Sequence, residues 1–408
     1  MFLNMRVLII TQYFYPENNF RSTEMATELV KRGHTVDALV GIPNYPKGKY
    51  FDGYGVFRKR HEVIEGVNVY RAFQTPRGRG GWRLPVNYFS FVISACLRIL
   101  FQLAWKKKYD AIIVYEPSPV FQAIPAILYK KLRKTPVYFW ILDIWPDAMK
   151  SGGGVKNQRL LKSVAKVVRW IYNRCDKLMV SSKRMADSVM EQGDYSDKLL
   201  YYPNWSEDMM KGNQAYPLPE LPSGYRIMMI GNLGKSQNLD AVAPVMKELS
   251  DLKEIKWIFV GDGSERGWLE DYIKESGLQE IAFTLGRFPY EAMPAMHQAA
   301  EALILALRPG FKHLERIVPS RLQSYMSAGK PVLAMLGVGG KELIEEADCG
   351  YAVEPGDYKQ LANLIRSKVM TDKEGFAQKG RNGRHFYEQN FTIKICIDNL
   401  ERIIGAVK

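Results

Sequence analysis

The apolar positions of the chain form short, nearly continuous runs, and amphipathic stretches separate these runs. One such stretch, residues 22–32, has helical spacing and ends at Gly33. Runs of this kind are typical of strands buried on both faces, and their alternation with helices is typical of a doubly covered parallel sheet. The first half is therefore predicted to be a doubly wound α/β domain. Its predicted strands are residues 6–11, 35–40, 111–115, 137–142 and 177–181.

A second series of apolar runs follows a polar segment between residues 207 and 224. This segment contains Tyr216-Pro-Leu-Pro-Glu-Leu-Pro222, a composition typical of a linker. A second doubly wound domain is predicted after it, with strands at residues 226–231, 257–261, 281–285, 302–306 and 331–334. The predicted division is a Rossmann-like domain at 1–205, a linker at 206–224, a second Rossmann-like domain at 225–385 and a helix at 386–408 that packs back on the first domain. Two such domains are expected to face a shared cleft.

The composition and charge narrow the classes of partner. The 408 residues are 47% hydrophobic and 25% charged, which is globular, and the net charge of +14 implies an anionic partner. The four cysteines are too widely spaced for a zinc site or a disulfide framework, which favours a reducing cytoplasmic setting. The first ten residues lack a basic n-region and a cleavage site, so we interpret them as a core strand.

Many of the basic residues surround an apolar segment at residues 86–105. Asn87, Arg98 and Gln102 interrupt this segment, which argues against a transmembrane span. An apolar helix flanked by arginine and lysine suits a protein that lies on an anionic bilayer. It also suits a buried helix with solvated ends, and the two interpretations are compatible. The flanking cations are Arg58, Lys59, Arg60, Arg71, Arg77, Arg79, Arg83, Lys106–Lys108 and Lys130–Lys134.

The segment 318–333 has the pattern of a phosphate-binding turn, a helix and a buried strand. Pro319 fixes φ, and Ser320 is predicted to be the N-cap whose hydroxyl accepts from free amides. Such a helix start presents unpaired N–H groups to an anion. Arg321 lies in the first turn, where the helix dipole disfavours a cation, and a bound diphosphate would remove that conflict. Gly329 is predicted to end the helix.

Three glycine-bearing turns follow predicted strands of the second domain. Gly231-Asn-Leu-Gly-Lys235 supplies glycines that let backbone amides approach a phosphate, and Lys235 could neutralise it. Gly261-Asp-Gly263 and Gly286-Arg287 are similar turns. None is a Rossmann or Walker fingerprint, and each alone fits an ordinary tight turn.

Seven motifs together make the chain resemble a known family. They are Gln12-Tyr-Phe-Tyr-Pro-Glu17, Gly33-His34, Pro43-Asn-Tyr-Pro46, Asp143-Ile-Trp-Pro-Asp147, Gly261-Asp-Gly263, Gly286-Arg287 and Pro319–Pro331. Across nearly all residues the chain resembles the retaining glycosyltransferases of family 4, which have the two-Rossmann-domain GT-B fold. Within that family it is similar to bacterial enzymes of O-antigen, capsule and colanic-acid synthesis, including N-acetyl-L-fucosamine transferases.

The resemblance implies a UDP-sugar donor on the C-terminal domain and a polyprenyl-diphosphate-linked saccharide as acceptor. The enzyme would work in the cytoplasm, peripherally on the inner face of the membrane, without a required cofactor or metal. Gly231 and Asn232 fall where the family contacts the donor diphosphate, Arg287 lines the base pocket, and Ser320 and Arg321 face the phosphates. In a retaining transfer the leaving diphosphate itself can deprotonate the acceptor hydroxyl, so the protein must stabilise the growing charge. On that logic Arg321 is expected to matter most.

The chain departs from the family at several donor-side positions. Where the family often has an arginine and a lysine in the first donor loop, this chain has Asn232 and Gln237, and Lys235 or Arg321 could substitute. Where the family commonly has two glutamates, it has Arg316 and Ser324. Glu315 is one residue off register and is a candidate catalytic carboxylate. Ser324 could hydrogen-bond ribose only as a neutral group.

Candidates on the acceptor side lie in two turns of the first domain. Asn18, Asn19 and Arg21 occupy the turn where many relatives have glycines, although Arg21 also fits a surface residue at a helix start. Asp143 and Asp147 follow an apolar strand, and a carboxylate there could bind an acceptor hydroxyl. A helix cap is the alternative, above all for Asp147.

Two other functions share some of these features. A nucleotide-sugar epimerase with the same fold would need no membrane-facing surface. A nucleic-acid or anion-binding protein would explain the charge, but the sequence lacks a recognition-helix, zinc or RNA-binding signature, so no specific nucleic acid is expected.

Overall fold

A computed structural model describes residues 4–17, 21–78, 81–151 and 154–406 of the chain. The backbone divides into two compact units. Unit 1 comprises Met1–Ser181, Ala186–Tyr202 and Ile397–Lys408. Unit 2 comprises Ser182–Met185 and Pro203–Cys396, so the proline-rich segment at 207–224 belongs to unit 2.

Unit 1 is built on an eight-stranded sheet with the order β3-β4-β2-β1-β5-β6-β7-β8. All neighbours are parallel except the edge strand β3, which pairs antiparallel with β4. The order reverses between β1 and β5, which makes their carboxyl ends the topological switch point of the sheet. The strands are β1 (Arg6–Thr11), β2 (Thr35–Gly41), β3 (His61–Ile64), β4 (Val67–Ala72), β5 (Ala111–Glu116), β6 (Val137–Ile141), β7 (Lys177–Val180) and β8 (Leu199–Tyr201).

Helices connect the parallel strands of unit 1, as is usual for crossover connections, except between β2 and β4, where a loop and the edge strand β3 make the connection. The helices are α1 (Arg21–Lys31), α2 (Arg83–Phe101), α3 (Ile124–Arg133), α4 (Asp147–Ser151), α5 (Gln158–Arg174) and α6 (Met185–Met190). With the short 3₁₀ turn that follows it, α2 gives a helix at Arg83–Trp105 that is long and apolar enough to cross a membrane by length and composition alone.

Unit 2 has a six-stranded sheet with the order β11-β10-β9-β12-β13-β14. Every pair is parallel, and the order reverses between β9 and β12. Two apolar layers, one on each side of this sheet, form the core of the unit. The strands are β9 (Tyr225–Ile230), β10 (Ile255–Val260), β11 (Ala282–Gly286), β12 (Ala302–Ala306), β13 (Val332–Met335) and β14 (Gly350–Val353).

The helices of unit 2 alternate with its strands, and the last helix of the chain extends into unit 1. They are α7 (Leu239–Glu248), α8 (Arg266–Glu275), α9 (Met293–Gln298), α10 (Lys312–Arg316), α11 (Ser320–Ser327), α12 (Val338–Glu346), α13 (Tyr358–Leu364), α14 (Lys373–Asn390) and α15 (Ile393–Gly405). In unit 1, the buried Glu401 of α15 lies 2.7 Å from His34 Nε2 and accepts from Arg32 at 2.8 Å.

The predicted fold class, two doubly wound α/β domains, is confirmed. Each predicted strand corresponds to an observed one within about two residues at either end. The prediction omitted β3, β8 and β14, which are short strands at the sheet edges, and also β4, which lies next to the edge strand β3.

Candidate functional site

The carboxyl edge of the unit 2 sheet is formed by three glycine turns that fit into one another. Gly231, Gly261 and Gly286 follow β9 and β10 and end β11, and all three have positive φ values. The Gly231 N–H donates to Val260 O and the Gly261 N–H donates to Gly286 O, both at 2.8 Å. A Cβ at position 261 would lie 1.8 Å from the Gly231 carbonyl oxygen, so no other residue fits.

Arg321 of α11 reaches over the first of these turns. Its Nη2 donates to the backbone carbonyl of Asn232 at 3.0 Å, and its guanidinium covers Gly231, where a Cβ would lie 2.9 Å from Nη2. Its Nη1 is buried and has no hydrogen-bond partner within the described part of the chain. Within the same described residues, no carboxylate forms an ion pair with Arg321. Arg321 therefore holds an uncompensated positive charge beside the switch point of the sheet.

The groups packed beside Arg321 are neutral. The hydroxyl of Tyr325 lies 3.1 Å from the Ile230 N–H and 3.3 Å from the Ile304 carbonyl, so it joins β9 to β12. His297 packs edge-on against the Tyr325 ring. Burial lowers the pKa of His297 to about 4. The hydrogen bond to the Met293 carbonyl opposes this shift, and the positive charge of Arg321 adds to it. At neutral pH this histidine is uncharged, so it does not compete with Arg321 for a bound anion.

The prediction that Ser320 is the N-cap of α11 is wrong. Pro319 occupies the N-cap position in an extended conformation, and no side chain caps the helix. The Pro319 carbonyl accepts from Leu322 N–H at 2.8 Å, which makes Ser320 the first helical residue. Its side chain is exposed. The helix start therefore lacks the internal acceptor that the sequence suggested, and Gly329 ends the helix with φ +68° as predicted.

The other predicted donor-side residues lie at the same edge of the sheet or near it. Asn232, Lys235 and Arg287 are exposed on the turns after β9 and β11. Ser324, by contrast, has its hydroxyl 2.9 Å from the hydroxyl of Ser206, so that oxygen already has a partner. Glu315 lies in α10, whose backbone packs so closely on Gly337 that a Cβ there would meet the Glu315 Cα at 2.3 Å.

The carboxyl edge of the unit 1 sheet brings two acidic residues together. Glu116 ends β5 and Asp143 follows β6, and the Asp143 N–H lies 3.4 Å from Glu116 Oε2. Burial, with a further contribution from Asp143, raises the pKa of Glu116 well above its usual range. Burial also raises the pKa of Asp143 to about 6, against a hydrogen bond from Ser118 that favours the anion. Burial therefore favours the protonated form of both carboxyl groups, and Asp143 loses its proton near pH 6.

The other residues predicted on the acceptor side are separate from the pair of Glu116 and Asp143. Arg21 begins α1 beside the buried Tyr115, with which it interacts electrostatically. Asp147 begins the short helix α4 and accepts from Lys150 at 2.7 Å, as expected of a residue at a helix start. Asn18 and Asn19 lie outside the described residues.

Two charged residues at this edge were missed as site candidates. Glu17 is buried, and its carboxylate accepts from the N–H groups of Asn44 and Tyr45 at 2.7 Å each. Burial raises the pKa of Glu17 to about 7 despite these bonds. Arg77 stacks among three tyrosines. Glu17 belongs to one of the seven family motifs, and Arg77 is one of the many basic residues near the apolar segment. Nothing in their spacing along the chain indicates that both lie at this edge of the sheet.

Comparisons with known proteins agree with this architecture. Residues 219–386 match the family described as glycosyl transferases group 1, and residues 19–205 match the glycosyl transferase 4-like domain. Among curated relatives, the chain is 25% identical over 374 residues to WcaI of Escherichia coli, named as a colanic acid biosynthesis glycosyl transferase, covering 86% of this chain and 88% of WcaI. It is 24% identical over 306 residues to WbjE of Pseudomonas aeruginosa, named as a glycosyltransferase, covering 70% of this chain and 72% of WbjE.

Among solved structures, HepE of Anabaena in complex with UDP superposes with a TM-score of 0.69 at 14% identity. The superposition covers 99% of this chain and 100% of HepE. At this identity the likeness shows the fold alone, and the fold is that of two Rossmann-like domains.

Proposed function

Because the chain belongs to the group 1 glycosyltransferases, we propose that it transfers a sugar from a UDP-sugar to a lipid-linked saccharide with retention of anomeric configuration. The names of its relatives in colanic-acid synthesis support a role in bacterial surface polysaccharide synthesis. An N-acetylamino or deoxyamino sugar is the donor sugar we favour, on the resemblance to N-acetyl-L-fucosamine transferases.

The observation that carries this proposal is the unpaired guanidinium of Arg321 over the turn at Gly231 and Asn232. A guanidinium without a carboxylate partner, beside glycine turns and an uncapped helix start, suits a diphosphate. Ser320 and Lys235 would add a hydroxyl and a second cation, and Arg287 would lie by the uracil base. The diphosphate would then take the place of the missing acid partner.

In the proposed reaction the bond between the anomeric carbon and the diphosphate oxygen breaks. A bond to the acceptor hydroxyl oxygen forms on the same face of the sugar, and the hydroxyl proton passes to the departing diphosphate. Negative charge therefore grows on the diphosphate in the transition state, where Arg321 and the backbone amides are already oriented. No nucleophilic side chain is needed for this route.

Unit 1 would hold the acceptor. Above about pH 6 the ionised Asp143, which lies beside the buried Glu116, can accept a hydrogen bond from a sugar hydroxyl. Arg21 and Asp147 would lie further along the acceptor side. In unit 2, Glu315, whose backbone packs against Gly337, is a second candidate for a catalytic carboxylate.

The outward face of α2 supports a lipid-linked acceptor. Large apolar side chains remain exposed at helical spacing along it, including Ile93 at 62%, Leu97 at 49% and Phe101 at 79%. Arg83 begins the helix and Lys106–Lys108 follow it. An apolar stripe with a cationic border suits the surface of an anionic bilayer, so we propose peripheral attachment to the inner face of the cytoplasmic membrane.

Calorimetric titration with UDP tests the proposal at its centre. Arg321→Ala should weaken UDP binding and lower kcat/KM by roughly a hundredfold, because a charge-assisted donor to the leaving group is lost. Arg366→Ala is the matched control, since Arg366 is an exposed arginine of unit 2 that is paired with Asp251. Unchanged UDP affinity in Arg321→Ala, or equal losses in both variants, would contradict the assignment.

A further inference from the structure

Arg77 of unit 1 lies in a cage of aromatic rings. Its guanidinium carbon is 5.4 Å from the ring centre of Tyr13, 5.0 Å from that of Tyr45 and 5.6 Å from that of Tyr88. Nη2 donates to the Tyr88 hydroxyl at 2.8 Å. Tyr13 and Tyr88 are buried, whereas Tyr45 is 38% exposed, so the cage opens on the side of Tyr45.

The charge of Arg77 has no acidic counterpart. None of the carboxylates in the described residues forms an ion pair with it. Glu17, the buried acid at the same edge of the sheet, instead accepts from the backbone N–H groups of Phe14, Asn44 and Tyr45. The N–H groups of Arg77 at Nε and Nη1 likewise have no hydrogen-bond acceptor among those residues. A partly desolvated cation with free donors is costly unless an anion meets it.

The backbone around Arg77 is held in place by buried polar contacts. The Arg77 N–H donates to Asn44 Oδ1 at 3.0 Å, and the Thr75 N–H donates to Ser90 Oγ at 3.0 Å. Gln74 accepts from Gln12 at 2.7 Å and donates to Ile42 O at 2.7 Å. These bonds join the loops that follow β1, β2 and β4. The guanidinium is thus preorganised at the carboxyl edge of a parallel sheet, where such sheets bind ligands.

An apolar surface begins beside the cage. Tyr88 lies in the first two turns of α2, and its neighbour Phe89 starts the exposed stripe that continues through Ile93 and Leu97 to Phe101. From Phe89 to Phe101 the stripe is about 18 Å long at the rise of an α-helix. A ligand with an anionic head at Arg77 and a hydrocarbon tail along α2 would satisfy both features.

We propose that Arg77 and its tyrosine cage bind the diphosphate of an isoprenoid diphosphate carrier, with the isoprenoid chain lying along α2. This inference rests on the proposed function, since it names the part of the acceptor that unit 1 recognises. A guanidinium with free N–H groups can bind phosphate oxygens in a bidentate manner, and the rings exclude water from that contact.

The test is calorimetric titration of the full chain with farnesyl diphosphate, farnesol and inorganic pyrophosphate. Every titration is made in the Arg321→Ala background, so that the diphosphate site of unit 2 does not contribute. Arg77→Gln should weaken farnesyl diphosphate binding roughly ten- to hundredfold, because bonds to a charged partner are lost. Farnesol, which has no charge, should bind equally to both chains. Arg159→Gln, which removes an exposed arginine of α5, should change neither affinity.

Equal affinity for farnesyl diphosphate with and without Arg77 would overturn the inference. So would a matching loss of farnesol binding, which would indicate a packing defect, or pyrophosphate binding as tight as that of farnesyl diphosphate. If Arg77→Gln fails to fold, Arg77→Lys serves in its place and should bind several-fold more weakly, because lysine cannot make the bidentate contact. A chain that binds UDP through Arg321 but ignores Arg77 would refute this inference and leave the proposed function standing.

Discussion

The two units have sheets of the same class but different chemistry at their carboxyl edges. In unit 2 this edge is made of glycine turns, so backbone groups and Arg321 form the surface. In unit 1 the edge is made of aromatic side chains and buried carboxyl groups, with Arg77 inside a tyrosine cage. In the described residues, both edges contain a guanidinium without an acid partner.

The difference indicates a division of labour between the units. The pKa values of Asp143 and Glu17, at about 6 and about 7, lie where enzymes commonly work, so the unit 1 edge changes charge in that range. In unit 2, burial lowers the pKa of His297 to about 4, so this residue is uncharged at neutral pH and the positive charge beside it is that of Arg321. A permanent charge suits a diphosphate, and an ionised carboxyl group suits a sugar hydroxyl that donates a hydrogen bond to it.

The largest expected effect would come from breaking the glycine edge of unit 2. Gly261→Ala places a Cβ 1.8 Å from the Gly231 carbonyl oxygen at φ +141°. We expect a loss of roughly 4 kcal/mol in the free energy of unfolding, or about 8–16 °C in the Tm of a domain of this size. Thermal unfolding monitored by circular dichroism measures this loss.

Gly267→Ala is the matched control for this glycine. Gly267 lies in α8, directly after the same loop, and a Cβ there would meet nothing within 4 Å. This alanine should raise stability by about 0.5–1 kcal/mol, because the unfolded chain loses freedom. Equal Tm values for the two variants would show that the turns are not packed as closely as described.

The central strands of both sheets could be predicted from the sequence, whereas the hairpin at the edge of the unit 1 sheet could not. Apolar runs such as Arg6–Thr11 are buried on both faces, and this burial makes them easy to recognise. The hairpin of β3 and β4 was missed, although Glu65 and Gly66 both have positive φ values, as a type I′ turn requires. A glutamate is unusual at that position, so the turn gave little signal.

The donor side could be predicted because its signal is local. Arg321 belongs to a contiguous segment with a proline before it and a glycine after it, and its position in the first helical turn was itself informative. Arg77 could not be predicted in the same way. Its cage is assembled from Tyr13, Tyr45 and Tyr88, which lie on three separate elements of unit 1. The absence of an acid partner becomes visible only in the folded chain.

A smaller effect tests the titratable character of the unit 1 edge. Burial raises the pKa of Asp143 to about 6 in the folded chain, from an ordinary value of 3.8. The folded state therefore binds this proton more tightly than the unfolded state, and stability falls as the pH rises from about 4 to 6. Asp143→Asn removes that loss. At pH 8 the variant should be more stable than the parent by about 2 kcal/mol, and the difference should shrink towards pH 4.5.

Urea unfolding at pH 4.5 and pH 8 measures this difference, and groups such as Glu17 cancel because both chains contain them. Asp147→Asn is the control, since Asp147 is paired with Lys150 on the surface. This variant loses an ion pair and should show no gain in stability at pH 8. A pH-independent difference for Asp143→Asn would mean that this carboxyl is solvated and does not share the protonation chemistry that separates unit 1 from unit 2.

The smallest expected effect concerns the apolar stripe of α2. Phe101 is 79% exposed on unit 1, whereas Trp268, an exposed aromatic of unit 2, is 39% exposed. Phe101→Ser should weaken binding to vesicles of phosphatidylcholine and phosphatidylglycerol by about 1 kcal/mol, or roughly fivefold, because one aromatic ring no longer enters the interface. Trp268→Ser should leave flotation with these vesicles unchanged, and vesicles of phosphatidylcholine alone should recover less of the parent chain. Equal losses in both variants would show that either unit can meet the bilayer. The contrast between the units would then be confined to their carboxyl edges and would not extend to the surfaces around them.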